Sequence, residues 1–198
     1  MAENPPFSTL RPVLLASTSR HRQALLTRLR IPFGTAAPEL DETRLAGEAP
    51  RALARRLALG KALAVAARHP GAIVIGSDQV CAAAERILGK PGTPAANREM
   101  LALLSGRTAI FHTAVAVVGL EAGLQAEHVD DTVCHFRVLT EADIARHVAI
   151  EPGLDCAGGF KSEGLGISLM TRIQSEDPTA LVGLPMIWVA GVLRRFIA

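Results

Sequence analysis

Asp78 closes an apolar, β-branched run in the stretch AIVIGSDQV. A carboxylate that emerges from a buried strand can hold a divalent cation or take a proton from water. In α/β sheets the carboxyl ends of strands face the ligand crevice, so Asp78 is well sited for either task. A turn aspartate would leave the same trace in the sequence. Alternation along a strand sends Asp78 and Gln79 to opposite faces, and so to different roles. A second acid, Glu42, lies in the polar stretch PELDET. Asp41 competes with it as a second metal ligand, and either can equally be a solvated loop acid.

The cations fall on loops as well. The stretch VLLASTSRHRQALLTRL passes from a buried strand to a helix through Ser17, Thr18, Ser19, Arg20, His21 and Arg22. A helix N-terminus presents unpaired N–H groups and a partial positive charge. With the hydroxyls of Ser17 and Ser19 and the charges of Arg20 and Arg22, it describes a phosphate-binding corner without a P-loop. The plain alternative is an N-cap serine beside solvated arginines. Lys61 stands in an Ala/Leu-rich helix, where lysines commonly snorkel to solvent. Lys90, in LGKPGT, can reach a phosphate as a point charge. The proline after it, and the lack of a glycine five residues before Gly89, exclude a Walker A motif. The loop from Gly153 to Gly166 holds five glycines together with Lys161 and Glu163. Its segment GLGISL fails the dinucleotide fingerprint at the third glycine. Acids, cations and Gly-rich turns beside strands suit a triphosphate with its metal.

Those residues need positioning. Val13–Ala16 reads as a buried strand and Ser19 to about Arg30 as a helix, with Arg22, Leu26 and Leu29 on one stripe. That stripe predicts the Arg22 guanidinium at the helix start, over the edge of the core. Residues 50–69 form a helix opened by proline and closed by HPG, and Ala72–Val80 a strand covered on both faces. Thr93 caps a helix over 95–104. Residues 108–119 and 124–139 make two antiparallel strands joined by a turn, and Thr140 caps a helix over 141–150. After the Gly-rich loop, Gly183–Leu184–Pro185 opens a last helix, apolar all round, that ends at Arg194 and Arg195. The expected class is α/β, with a mixed sheet and flanking helices.

The totals set limits. Apolar residues make up 49% of the chain and the formal net charge is +2, so disorder and a basic nucleic-acid stripe are both disfavoured. Any anion site must be local. Cys81, Cys134 and Cys156 are three in number and widely spaced, which argues against a disulfide framework and for a reducing compartment. No HExxH or zinc-finger spacing is present. The start lacks the pattern of a signal peptide, and the apolar run from Leu181 to Leu193 is too short to cross a bilayer. The expectation is a cytoplasmic protein with no membrane and no nucleic-acid partner.

The stretches LLASTSRHRQALL, PELDE, the pair Lys61–Ala62, GSDQV, LGKPGT, LSGRT, CAGGFKSEGLGISL and DPTALVGLP, in order along the chain, resemble the Maf family of nucleotide pyrophosphatases. The resemblance implies one domain over 12–198 after a tail at 1–11. It implies an inosine-triphosphatase-like α/β fold of two lobes around a central cleft, often in homodimers. The implied reaction converts a nucleoside triphosphate and water to the monophosphate and pyrophosphate with a divalent metal, Mg²⁺ or Mn²⁺, as a house-cleaning hydrolase. SDQ and FKSEGLG are similar to the 7-methyl-GTP branch. The dTTP/UTP branch typically has ADT and a glutamine-glycine pair instead. Asp78 then matches the proton acceptor, with Glu42 and Asp78 at the metal. Ser17, Arg22, Lys61 and Lys90, together with Lys161, are the substrate-binding set, and His21, Gln79 and Glu163 set substrate choice. The family often has proline where Arg20 stands and arginine where Gln23 stands, and the 7-methyl-GTP branch often has a larger aromatic where His21 stands. Two other readings stay open: a dTTP/UTP pyrophosphatase, and a nucleotide-binding regulator of cell division in which hydrolysis is incidental.

Overall fold

A computed structural model describes residues 7–83 and 86–197. Seven strands form one mixed sheet: β1 (Val13–Ala16), β2 (Gly34–Thr35), β3 (Ile73–Ala83), β4 (Arg86–Leu88), β5 (Thr108–Gly119), β6 (Leu124–Phe136) and β7 (Met170–Gln174). Their order is β2-β1-β3-β5-β6-β7, with β4 paired to β3 off this path. β1 runs parallel to β2 and to β3, whereas β4 and β7 lie antiparallel to β3 and β6. The helices are α1 (Arg20–Thr27), α2 (Pro50–Ala66), α3 (Pro94–Leu104), α4 (Glu141–Ile150) and α5 (Met186–Leu193). Among the described residues no helix is long and apolar enough to cross a membrane.

The chain divides into two compact units. Unit 1 comprises 1–78, 113–129 and 177–198, and unit 2 comprises 79–112 and 130–176. In unit 1 the pleat sorts side chains by parity. Val13, Leu15, Ile73, Ile75, Val115 and Val117 share one cluster with Leu25 and Leu26 of α1 and with Val189 and Leu193 of α5. Ala16, Val74, Ala116 and Val118 join Ala62, Val65 and Ala66 of α2 in the other. Both faces of these strands are therefore covered, which is why they read as unbroken apolar runs. The β1–β3 register, Val13↔Ile73 through Ala16↔Gly76, keeps the two sets apart. A Cβ on Gly76 would overlap the Ala58 carbonyl oxygen of α2, so glycine sets how closely that helix lies on β3.

In unit 2 the hydroxyl of Thr93 accepts a hydrogen bond from the Ala96 N–H at the start of α3. At α4, Thr140 and Asp143 form a reciprocal capping box. His147, on the same stripe as Ile144 and Val148, is only 2% exposed. Neither of its ring nitrogens has a hydrogen-bond partner among the described residues. Burial lowers its pKa below the ordinary histidine value of 6.5, with Glu151 opposing.

The expected elements are present, β3 is longer than expected, and three short strands, β2, β4 and β7, join them. β3 runs on past Val80 to Ala83 because its second half pairs with β4, so Asp78 lies within the strand and not at its end. β7 falls where the Gly-rich loop gives way and carried no apolar pattern. It is an edge strand with largely exposed side chains, tied to β6 by backbone bonds.

Two predictions follow from this packing. Gly76→Ala should destabilise the fold by about 1–3 kcal/mol through overpacking, read as a lower urea midpoint at unchanged slope. Below pH 6.5 the unfolded chain takes up a proton at His147 that the folded chain resists, so the stability it contributes is present above 6.5 and is lost as pH falls. Unfolding of His147→Leu should accordingly lose less stability between pH 7 and pH 5 than unfolding of the wild type.

Candidate active site

The β1–α1 corner of unit 1 is built as a set of donors around a few carbonyl and hydroxyl oxygens. Ser19 caps α1, and its hydroxyl accepts from the Arg22 N–H at 3.4 Å. The Ser17 hydroxyl, 5% exposed, accepts from the Ser19 N–H at 3.1 Å and from Arg22 Nη1 at 3.4 Å. Arg22 Nε donates to the Gly183 carbonyl at 2.9 Å. The single O–H of Ser77, fully buried beside Asp78, lies between that same carbonyl at 2.9 Å and the Ala114 carbonyl at 2.8 Å and can donate to either. Gly183 has φ +122°, a conformation that favours glycine. Its loop is knotted by Thr179, whose hydroxyl donates to Asp177 Oδ1 at 2.6 Å, lies 2.9 Å from the Leu184 carbonyl oxygen and accepts from the Met186 N–H. Asp177 Oδ2 accepts from the Ile187 N–H at the start of α5. Arg22 is thus aimed by a backbone carbonyl more than 160 residues away.

Asp78 is met by Lys61 from α2. The ammonium lies 2.6 Å from Asp78 Oδ1 and 2.9 Å from Glu42 Oε1. Lys61 does not snorkel: its side chain is 8% exposed and Asp78's 12%, against 55% for Glu42. Asp41 turns away and accepts from the Thr43 N–H at 2.9 Å, so geometry favours Glu42 over Asp41 as the acid beside Asp78. Burial lowers the pKa of Arg22, and the carboxylates of Asp78 and Glu42 oppose that shift. A guanidinium stays charged under such a shift. Ser17, Arg22, Glu42, Lys61 and Asp78 therefore make one polar cluster within unit 1, two carboxylates among cations. His21 lies on the first turn of α1 beside it.

The remaining expected residues belong to unit 2. Gln79 is half-buried on β3, one residue past Asp78, and the alternation of the strand separates the two as expected. Lys90 is exposed between β4 and α3. Lys161 is half-buried and Glu163 exposed in the Gly-rich loop, where the Ser162 hydroxyl lies 3.4 Å from Glu163 Oε2. Asn97 of α3, fully buried, donates to the Gly159 carbonyl at 2.8 Å and accepts from the Gly153 N–H at 3.1 Å. Phe160 sits edge-on to both Phe111 and Phe136.

Asn97 has no place among the residues expected at the site, and Ser77, Asp177, Thr179 and Gly183 stand there only as members of GSDQV and DPTALVGLP, with no role of their own. Asn97 carried a usable signal: it shares the buried stripe of Leu101 and Leu104, and a buried amide must be hydrogen-bonded. Ser77 and Thr179 carried none, because their partners are backbone carbonyls distant in sequence. All three cysteines are free. Burial pushes the Cys156 thiol up to about 12, which leaves it protonated and unreactive near neutrality.

Comparison with known proteins agrees with this architecture. A family model described as Maf-like protein matches residues 12–196. A protein of Xanthomonas oryzae pv. oryzae named 7-methyl-GTP pyrophosphatase is 56% identical over 183 residues, covering 92% of this chain and 95% of its own. Proteins of the same name from Bordetella avium, 51% identical over 93% of this chain and 92% of their own, and from Cupriavidus metallidurans, 50% identical over 95% of both, are similar to it too. With the match running from the first residue of the domain core to the last turn of the chain, this protein belongs to the Maf family.

Proposed function

We propose that this protein is a nucleoside triphosphate pyrophosphatase acting on 7-methyl-GTP, releasing the monophosphate and pyrophosphate. The observation that carries the reading is the buried Asp78 carboxylate held at 2.6 Å by Lys61 beside Arg22 and Glu42. A pure nucleotide binder needs cations for phosphate and has no use for a carboxylate fixed among them. The names of the similar proteins supply the substrate. The free cysteines fit a cytoplasmic enzyme, and the active domain takes in residues 9–11 of the expected tail, where Thr9 bridges to Ile197, the Leu10 N–H donates to the Phe196 carbonyl and Arg11 donates to the Gly71 carbonyl.

In this reading water attacks the α-phosphorus. A phosphorus–oxygen bond forms to the water, the bond to the bridging oxygen breaks, and pyrophosphate departs with its electron pair. Asp78 orients the water and takes its proton. Lys61 has three N–H donors. Its two carboxylate partners leave a third for a phosphate oxygen. Arg22, oriented by Gly183 and Ser17, adds a planar fork to the same phosphates, and Lys90 and Lys161 add point charges. The donor set fits a hard divalent cation, because the carboxylates of Asp78 and Glu42 stand together on Lys61. Asp78 and Glu42 would hold Mg²⁺ or Mn²⁺, and the ion would supply charge neutralisation along the triphosphate.

At the base, Glu163 has two acceptor oxygens and guanine has N–H donors on its Watson–Crick edge, so a bidentate pairing is available. Methylation on the imidazole side makes the purine cationic, which the same carboxylate favours. His21 stacks on the base and Gln79 completes the selection.

The deciding experiment measures pyrophosphate release with Mg²⁺ or Mn²⁺ across 7-methyl-GTP, GTP, dTTP, UTP and CTP. Preference for 7-methyl-GTP is expected. Preference for pyrimidines would keep the chemistry and discard the roles of His21, Gln79 and Glu163. No turnover from folded protein would favour a binding regulator. Asp78→Asn, nearly isosteric, should cut turnover about a hundred- to ten-thousand-fold while the chain stays folded by circular dichroism. Glu163→Gln should lose about tenfold in kcat/KM on 7-methyl-GTP and less on UTP, and equal losses would discredit the pairing.

A further inference from the structure

The loop from Gly153 to Gly166 holds Lys161 and Glu163 without a strand or α-helix of its own, so side chains from outside must fix it. Asn97 and the two phenylalanines secure its first half. The half that carries Glu163 is gripped from α4. Glu151, the C-cap residue of that helix, is half-buried and accepts from the Leu165 N–H through Oε2 at 2.6 Å. A hydrogen bond to a charged acceptor is about twice as strong as a neutral one.

The residue between Glu163 and Leu165 reinforces the point. Gly164 has φ −122°, which L-residues adopt readily. Its lack of a side chain matters for another reason: a Cβ would overlap both carboxylate oxygens of Glu151, so glycine leaves room for that carboxylate to sit where it does. The Gly164 N–H also bonds to the Lys161 carbonyl at 3.3 Å, closing a turn around Ser162 and Glu163. Glu163 therefore projects from a short turn that is closed on one side by its own backbone and pinned on the other by Glu151.

We propose that Glu151 is a specificity-positioning residue: its carboxylate, seated over Gly164 and bonded to the Leu165 N–H, fixes the turn that presents Glu163 to the nucleobase. This rests on the reading of Glu163 as the base-recognising acid. Glu151 itself touches no substrate. A carboxylate that merely stabilised the fold would affect every nucleotide alike, whereas one that aims Glu163 affects the nucleotide that Glu163 selects.

The test compares wild type with Glu151→Ala and Glu151→Gln on 7-methyl-GTP and UTP, and follows amide hydrogen exchange at Leu165. Glu151→Ala should lower kcat/KM on 7-methyl-GTP about tenfold, change UTP by less than about threefold, and speed Leu165 exchange about tenfold. Glu151→Gln keeps an acceptor oxygen and should retain most of the preference. If Glu151→Ala does not fold, Glu151→Asp withdraws the oxygen by one methylene, keeps the charge, and should show the same losses. Equal losses on both nucleotides, or unchanged exchange at Leu165, overturn the proposal. A wild-type preference that survives Glu151→Ala overturns it alone. A wild type with no preference for 7-methyl-GTP removes the reading of Glu163 and this proposal together.

Discussion

The contact on which the site depends is the ion pair between Lys61 and Asp78, two charges taken out of water at 2.6 Å. Removing one partner of a buried pair that has no other costs about 3–5 kcal/mol; here Glu42, 2.9 Å from Lys61, offsets part of a loss at Asp78. The pair links α2 to β3. The helix must lie close enough for a lysine on it to reach the strand, and Gly76, two residues before Asp78, grants that approach. The alanines of α2 that face Ala16 and Val74 keep the same layer thin. A requirement of charge thus appears in the sequence as a requirement for small side chains.

The second organising feature is the use of backbone carbonyls to orient side chains. Gly183 takes Arg22 and Ser77 on one oxygen, and the Asp177–Thr179 knot holds Gly183 in place. In unit 2 Asn97 spans the base of the Gly-rich loop in the same manner. Each of these loops is tied down by one or two polar side chains from a helix or neighbouring turn, and the bonds made by Asn97 and Ser77 are buried.

Much of this was legible in the sequence. Apolar runs, capping hydroxyls and helix-opening prolines marked the longer strands and the helices close to their observed limits, because these signals are local. The stripe of Arg22, Leu26 and Leu29 correctly put the guanidinium at the edge of the core. The end of β3 was misjudged because its continuation depends on pairing with β4, and β7 was missed because an edge strand needs no apolar face. At the site, the order of motifs named the chemical groups. The residues alone left Asp41 and Glu42 open, since one residue's shift in a loop reverses which acid meets Lys61; the resemblance chose Glu42, which is the acid found 2.9 Å from the Lys61 ammonium. Nor did any local signal give Ser77, Thr179 or Gly183 its role, which depends on partners distant in the chain.

The discontinuity of unit 1 bears on how the chain is made. The cluster around Val13, Leu15, Ile73 and Ile75 is completed by Leu184, Met186, Val189 and Leu193. Those four leave the ribosome after every strand of the sheet has been synthesised. Until then the oldest strand of the nascent chain has an apolar face covered only in part, by Leu25 and Leu26 of α1, while the segments of unit 2, which end at residue 176, are already complete. Synthesis from N- to C-terminus therefore reverses the order of assembly: the loop that carries Glu163 can settle before the pocket of Arg22 exists, and the final turns of α5 act as the closing step for a core begun at residue 13.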